Sequence, residues 1–252
     1  VVDGDGERIE GTGVRATVEP GEHGPGVGLL GELDDASAPT IDAVTAWVTE
    51  RVGVAAPAQL VSDHPVERDH PLPAAVAARL GLHPRRELLQ LRRPLPADPP
   101  PPGLALRPFL PERDADAWVR ANNRAFATHP SQGAQTSETL AATLAEPWVD
   151  LDGFLMADDP DRPGELAGSC WTRVHPGTGT DPEVGEIFVI GVDPHHHGRG
   201  LGRRLVLAGL DHLARQGLEV GMLWVEHDNL PARALYERLG FSPHHRRRLH
   251  LP

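Results

Sequence analysis

The sequence contains no lysine, so all 24 of its basic residues are arginine. That excludes the nucleotide-binding P-loop, which ends in Gly-Lys-Ser/Thr. Cysteine occurs once, at Cys170, so no disulfide framework holds the chain together and a reducing, cytoplasmic setting is expected. No apolar run approaches the length of a membrane span, and no signal peptide is visible. Positive charge is in deficit: 24 basic against 36 acidic residues leave a net charge of −12, which argues against nucleic acid and anionic membranes as partners. Tyrosine also occurs only once, at Tyr236. The chain starts at Val1 rather than methionine, and an N-terminal piece is expected to be missing. Heavy use of Arg, Ala, Gly and Pro reflects a GC-rich genome and carries no function.

The basic residues that exist are unevenly placed. From His195 to Pro252 there are nine arginines against five Asp or Glu, so this segment is locally basic in an acidic protein. It follows the stretch around which the chain is organised, Glu186 to Arg204. Glu186-Ile-Phe-Val-Ile-Gly-Val192 reads as a buried strand, and the Gly-rich turn after it opens an apolar helix at Leu201. Strand, glycine loop and helix make an anion-binding arrangement: glycine lets a ligand approach the backbone, and the first-turn N–H groups of the helix point at it. A phosphate-bearing ligand is expected. The dinucleotide fingerprint G-x-G-x-x-G does not fit Gly198-Arg199-Gly200-Leu201-Gly202-Arg203.

Internal similarity points to two copies of one fold. Residues 18–28 (VEPGEHGPGVG) match 192–202 (VDPHHHGRGLG) at six of eleven positions. Ala75 to Leu82 with Pro84 matches Ala234 to Phe241 with Pro243. The expected organisation is an incomplete first copy over 1–96, a proline-rich linker over 97–103, and a complete second copy over 104–252. In the second copy the pattern predicts β-α-α-β-β-β-α-β-α-β, with helices over 114–127, 137–146, 200–216 and from about 229 to 239. The fold class expected is α/β, a mixed central sheet flanked by helices. In the first copy, Thr12 falls at the position of Glu186, Ala77 at that of Tyr236 and Pro25 at that of Arg199, so this half is expected to be non-catalytic.

Glu186 opens an otherwise apolar strand, and alternation places it with Phe188 and Ile190. It is either a base, acting directly or through water, or a solvated strand end. The run His195-His196-His197 sits in a tight turn that cannot easily aim three imidazoles at one ion, and no metal site is expected. Cys170 lies in an apolar strand and is expected to pack rather than react.

The loop resembles the acyl-CoA loop of the GCN5-related N-acetyltransferase family, whose pattern is Gln/Arg-x-x-Gly-x-Gly/Ala after a strand ending in Val-x-Pro. His197 stands where Gln or Arg is usual. The segment Asn229-x-x-Ala232-x-x-x-Tyr236-x-x-x-Gly240-Phe241 is similar to the last helix of the same family. The resemblance implies two tandem domains of that fold and acetyl-CoA as co-substrate. Backbone N–H groups at Ile190, Gly191 and Val192 would polarise the thioester carbonyl. The loop His197, Gly198, Arg199, Gly200, Leu201, Gly202 and Arg203 would hold pyrophosphate, with further contacts from Asn229, Leu230, Pro231, Ala232, Arg233 and Ala234. Glu186 would be the base and Tyr236 the general acid. A phenol, with an ordinary pKa of about 10 against about 8.5 for a thiol, stays protonated at neutral pH and can donate to a departing thiolate.

Three stretches carry a closer resemblance: Asn122 to Gly133, Gly185 to Pro194, and Leu223 to Asn229. They are similar to a tandem actinobacterial branch of the family whose acceptor is the cysteinyl amine of Cys-GlcN-Ins, a cysteine-bearing glucosaminyl-inositol. That resemblance implies Ser131, Arg173, Glu186 and Trp224 as acceptor contacts. Ser131 stands where the branch carries a carboxylate, Arg173 where it carries lysine, and Trp224 where it carries tyrosine. Small-molecule substrates and a monomer are expected. A related acetyltransferase for another amine, or a CoA-binding module without turnover, are the other readings.

Overall fold

The computed structural model describes residues 6–19, 25–31, 33–53, 57–67, 70–101, 103, 105–129, 132–177 and 182–252. It is an α/β protein whose residues group into two compact units. One unit comprises Val1–Leu91 with Trp224–Glu237 and Ser242–Pro252; the other comprises Arg92–Leu223 with Arg238–Phe241. Residues 224–237 and 242–252 therefore group with the N-terminal part of the chain.

The first unit contains β1 (Glu7–Arg8), β2 (Val14–Glu19), β3 (Gly26–Gly31), α1 (Ala38–Val52), β4 (Gln59–Pro65), α2 (Pro71–Arg79) and most of β5 (His83–Pro94). Its strand order is β1-β2-β3-β4-β11-β5, where β11 is the last strand of the chain, Ser242–Leu251. β3 and β4 run parallel, and β11 lies antiparallel to β4 from Leu60↔His250 to Pro65↔His245. Val14, Val27, Leu29, Val44, Val48, Leu60, Leu72 and Val76 form the core between this sheet and α1 and α2.

This arrangement corrects the first of the two internal alignments. Residues 26–31 are not a loop opening a helix. They form β3, paired antiparallel with β2 from Val14↔Gly31 to Glu19↔Gly26. Thr12 sits in a bend before β2, with its hydroxyl on the Ile9 carbonyl, and not on a central strand. Of the matched glycines, Gly26 and Gly28 lie within strand β3, whereas Gly200 is the N-cap of a helix and Gly202 lies in its first turn, so the shared residue type serves different backbone positions. By element order the strand–helix crossing of this unit is β3 to α1, through Leu33–Ser37. The second alignment stands on equivalent elements: 75–84 spans the end of α2 and the start of β5, and 234–243 spans α6 (Leu230–Arg238) and the start of β11.

The second unit contains β6 (Arg107–Pro108), α3 (Pro111–Ala125), α4 (Ser137–Leu144), β7 (Phe154–Asp158), β8 (Leu166–His175), β9 (Val184–Val192), α5 (Leu201–Arg215) and the start of β10 (Val220–Glu226). The elements follow the order expected from the sequence. Strand order is β10-β9-β8-β7-β6, antiparallel except for the parallel β9–β10 pair. On one face Phe154 stacks on Trp171 at 4.1 Å between centroids, and Trp118 of α3 meets both rings edge-on. Each such aromatic pair is worth about 0.5–1.5 kcal/mol beyond the area it buries. On the other face α5 packs closely. A side chain at Gly209 would meet Ile187 Cδ1 at 2.6 Å and Cys170 Sγ at 2.7 Å, so only glycine allows this approach.

Candidate active site

The β8–β9 pair places Glu186. Arg173 lies directly opposite it, and Met222 of β10 pairs with it in parallel on the other side. A carboxylate in the middle of a sheet is shielded from water, and Glu186 is 7% exposed. Its Oε2 lies 2.7 Å from Nε2 of His175, which stands two residues beyond Arg173 on β8. Arg173 itself turns to the aromatic rings: its guanidinium carbon lies 4.6 Å from the Trp148 centroid and 6.0 Å from Phe188.

Alternation along β9 does not hold throughout. The register passes from Thr172↔Ile187 to Trp171↔Val189, so Phe188 is an extra residue that bulges the strand. Phe188 packs edge-on to Trp148 and Trp171, on the face of Arg173. Ile190, expected on that face, instead pairs with Cys170, whose sulfur is directed toward Gly209 of α5. Past the bulge, residues 188–192 of β9, including Ile190, Gly191 and Val192, are half-buried rather than buried. Beside Phe188, residues of α3, α4 and the sheet enclose a cavity of about 120 Å³ lined by Trp118, Asn122, Gln132, Gln135 and Trp171. Asn122 donates to the Gln132 carbonyl at 2.8 Å and Asn123 to that of Gln135 at 2.8 Å, so the two asparagines hold the segment after α3 in place. Ser131, expected in the acceptor pocket, lies outside the described residues.

The loop after β9 is held from beneath. Asp193 is 1% exposed and accepts from the His195 N–H at 3.0 Å, from its imidazole at 2.7 Å and from Arg124 of α3 at 2.7 Å. Asp159 binds His196 at 2.9 Å and Arg162 at 2.7 Å, and Arg124 also reaches Glu165 at 2.7 Å. Burial raises the pKa of each aspartate, but the hydrogen bonds and cations around them outweigh it and hold both well below the ordinary carboxylate value. The histidine triplet diverges: His195 goes to Asp193, His196 to Asp159, and His197 to the Val192 carbonyl at 3.0 Å. Among the described residues no group of three or more His, Cys, Asp or Glu could hold a metal ion.

Above this base the loop is open. Gly198 and Gly200 have φ of +73° and +74°, and nothing lies within 4 Å of where a Cβ would sit on either. Gly200 is the N-cap of α5 and leaves the helix without a side-chain cap. The N–H groups of Leu201, Gly202 and Arg203 thus have no acceptor within the helix. Arg199 and Arg203 are exposed beside them. A pyrophosphate fits this cradle by the chemistry of its donors: backbone N–H groups, a helix N-terminus and nearby guanidinium groups. Cys170 is fully buried, and burial pushes its thiol up to about 12, which suits packing and not nucleophilic attack.

Trp224, residues 229–234 and Tyr236 group with the first unit. Trp224 lies under Arg247, whose guanidinium carbon is 4.3 Å from the ring centroid and which also binds Asp63 at 2.6 Å. Asn229 caps α6 by accepting from the Ala232 N–H at 3.2 Å, and Arg233 donates to the His227 carbonyl at 2.6 Å. Leu230 is exposed, Pro231 lies in the first turn, and Ala234 and Arg233 are half-buried. Tyr236 is 7% exposed on α6, whereas its counterpart on α2, Ala77, is a fully buried core residue.

Sequence reasoning missed His175 and the Asp159–Asp193 support. His175 had a signal, since residues 173 and 175 of one strand share a face. The bulge at Phe188 had none.

This fold is that of the GCN5-related N-acetyltransferase class. The family model described as Acetyltransferase (GNAT) family matches residues 116–241, half of the chain, and the chain belongs to that family. It is 52% identical over 179 residues to a mycothiol acetyltransferase from Salinispora arenicola, covering 69% of this chain and 57% of that protein. It is 51% identical over 174 residues to a mycothiol acetyltransferase from Thermomonospora curvata, covering 67% and 56%. The match thus spans little more than half the length of these curated relatives. Among solved structures, a GCN5-related N-acetyltransferase from Sphaerobacter thermophilus superposes with a TM-score of 0.69 at 24% identity, over 94% of this chain and 76% of that one. A tandem GNAT protein from the clavulanic acid biosynthesis pathway superposes with a TM-score of 0.56 at 18% identity, over 91% and 75%.

Proposed function

We propose that the protein transfers the acetyl group of acetyl-CoA to the cysteinyl amine of Cys-GlcN-Ins, the reaction that makes mycothiol. The observation that carries this reading is the identity of about half over 69% of the chain to curated mycothiol acetyltransferases. The position of Glu186 supports its assignment as the base. Glu186, buried in the sheet and bonded to His175, takes a proton from the acceptor ammonium and frees its lone pair to attack the thioester carbon. N–H groups from Ile190 to Val192 polarise the carbonyl, the 197–203 loop binds pyrophosphate, and residues 229–234 add contacts to CoA. Tyr236 donates a proton to the departing thiolate. Arg173, Trp224 and Ser131 contact the acceptor.

Catalysis is assigned to the 104–252 copy, and the 1–96 copy, with the 97–103 linker between, to a supporting role. The counterpart strand β3 reads GVGLLG and offers no base, and Ala77 offers no acid. A monomer working in the cytoplasm on small molecules completes the reading.

Thiol release from acetyl-CoA, measured with Cys-GlcN-Ins, other amino sugars and peptides, tests the proposal. Turnover is expected with Cys-GlcN-Ins above the others. Turnover confined to another amine removes the mycothiol reading and favours a sister acetyltransferase, for which Ser131, Arg173 and Trp224 are the residues that speak. Binding of acetyl-CoA without turnover of any amine leaves a CoA-binding module. Tyr236→Phe is expected to cut kcat about 10²-fold while acetyl-CoA binding holds; equal loss of both makes the tyrosine structural.

A further inference from the structure

We propose that His175 is a positioning residue for acetyl transfer, holding Glu186 in the orientation in which it takes the amine proton; this rests on Glu186 being the base assigned above. β8 and β9 are antiparallel, with Arg173 opposite Glu186 and His175 opposite Val184. Arg173 and His175 therefore share the face of Glu186, one directly across and one on the diagonal. The directly opposed cation stacks on Trp148. The diagonal imidazole is the group in bonding contact, with Nε2 2.7 Å from Oε2.

An ionised carboxylate is an acceptor only, and one that is 7% exposed needs a donor to offset its lost hydration. A neutral imidazole that donates Nε2–H meets that need without adding charge. It also removes rotamer freedom from a three-torsion side chain, so the entropy of aligning the base is spent before the acceptor arrives. With Oε2 occupied, Oε1 is the oxygen left to receive the proton. The balance is simple: one N–H bond of the acceptor ammonium breaks, one O–H bond forms on Glu186, and the nitrogen lone pair is released for attack. The imidazole keeps its own proton throughout.

The test compares His175→Ala with His175→Gln, whose amide N–H replaces the donor. With the amine that the wild type uses best, His175→Ala is expected to lower kcat about 10- to 100-fold, with KM for acetyl-CoA within about twofold of wild type. His175→Gln is expected to recover kcat to within about fivefold of wild type. In ¹⁵N spectra of the free protein, His175 Nε2 should carry the proton and shift in Glu186→Gln. An unaffected kcat in His175→Ala, an equal loss in both variants, or an unprotonated Nε2 overturns the inference while wild-type turnover keeps the assigned reaction. A wild type that turns over no amine, in folded protein, overturns the assigned base and this inference together.

Discussion

Between β9 and α5 the chain runs Asp193 to Gly200, and α5 begins at a glycine with φ of +74° and no side-chain cap. Between β3 and α1 it runs through Leu33 to Ser37, and the Asp35 carboxylate accepts from the Ser37 N–H at 3.0 Å and from the Thr40 hydroxyl. Both connections join parallel strands through a helix, and both helices start where an anion is favoured. In the second unit that position is open and flanked by Arg199 and Arg203. In the first it carries the protein's own negative charge, and Pro39 in the first turn of α1 lacks an N–H to offer. Neither helix has a side-chain cap; what differs is that an internal carboxylate, Asp35, stands before α1, while glycine flanked by exposed arginines stands before α5. Fold likeness between the units therefore does not by itself imply like sites, because the charge placed before each helix differs.

Gly200→Val should break the open loop most severely. A β-branched residue at that φ costs about 1–2 kcal/mol or more, and the cradle distorts to relieve it. KM for acetyl-CoA is expected to rise about tenfold or more, at the value of one lost charge-assisted contact. An unchanged KM would show that the loop does not hold CoA.

Asp193→Asn addresses the support beneath the loop. Removing the charge leaves Arg124 half-paired and is expected to cost about 2 kcal/mol, read by urea unfolding, with a few-fold rise in KM for acetyl-CoA. Because the folded-state pKa values of Asp193 and Asp159 lie below the unfolded value, their stabilisation is present above the unfolded pKa of about 4 and lost as pH falls below it. Unfolding midpoints should drop on acidification below about pH 4, and Asp193→Asn should show a shallower drop.

The smallest effect belongs to the closed connection. Asp35→Ala should lower the unfolding midpoint slightly and leave KM for acetyl-CoA where it was. Hydrogen bonds to Thr40 and Ser37 hold the Asp35 pKa below its ordinary value, so a shallower acid dependence should accompany the change. A variant that gains a second CoA site would sharpen the comparison further, since it would mean that charge alone keeps the first unit empty.

Much of the second unit was legible in the sequence because local signals and tertiary outcome agree there. Apolar runs bounded by turns became β7 to β10, and the glycine loop opened α5 where it should. The first unit was misread at residues 18–28 because glycine identity records backbone freedom and not its use. Val18↔Val27 pairing, which makes the segment a hairpin, is a long-range choice that no local pattern states. Likewise Glu186 could be picked out as an odd carboxylate in an apolar strand, and strand alternation put His175 on the face of Arg173, but the register that brings His175 to Glu186 could not be read locally.

By itself the sequence determined the order of elements in the second unit, the glycine-rich loop before α5, the single tyrosine and the family. These are properties of local backbone propensity and of which side chains exist. Tertiary structure alone decided that His175 meets Glu186 on a strand diagonal, that a bulge at Phe188 turns Ile190 to the other face, and that the Asp35 carboxylate bonds Ser37 and Thr40 at the start of α1. Each depends on register or on how a crossing is filled, and a shift of one residue in either would reverse it.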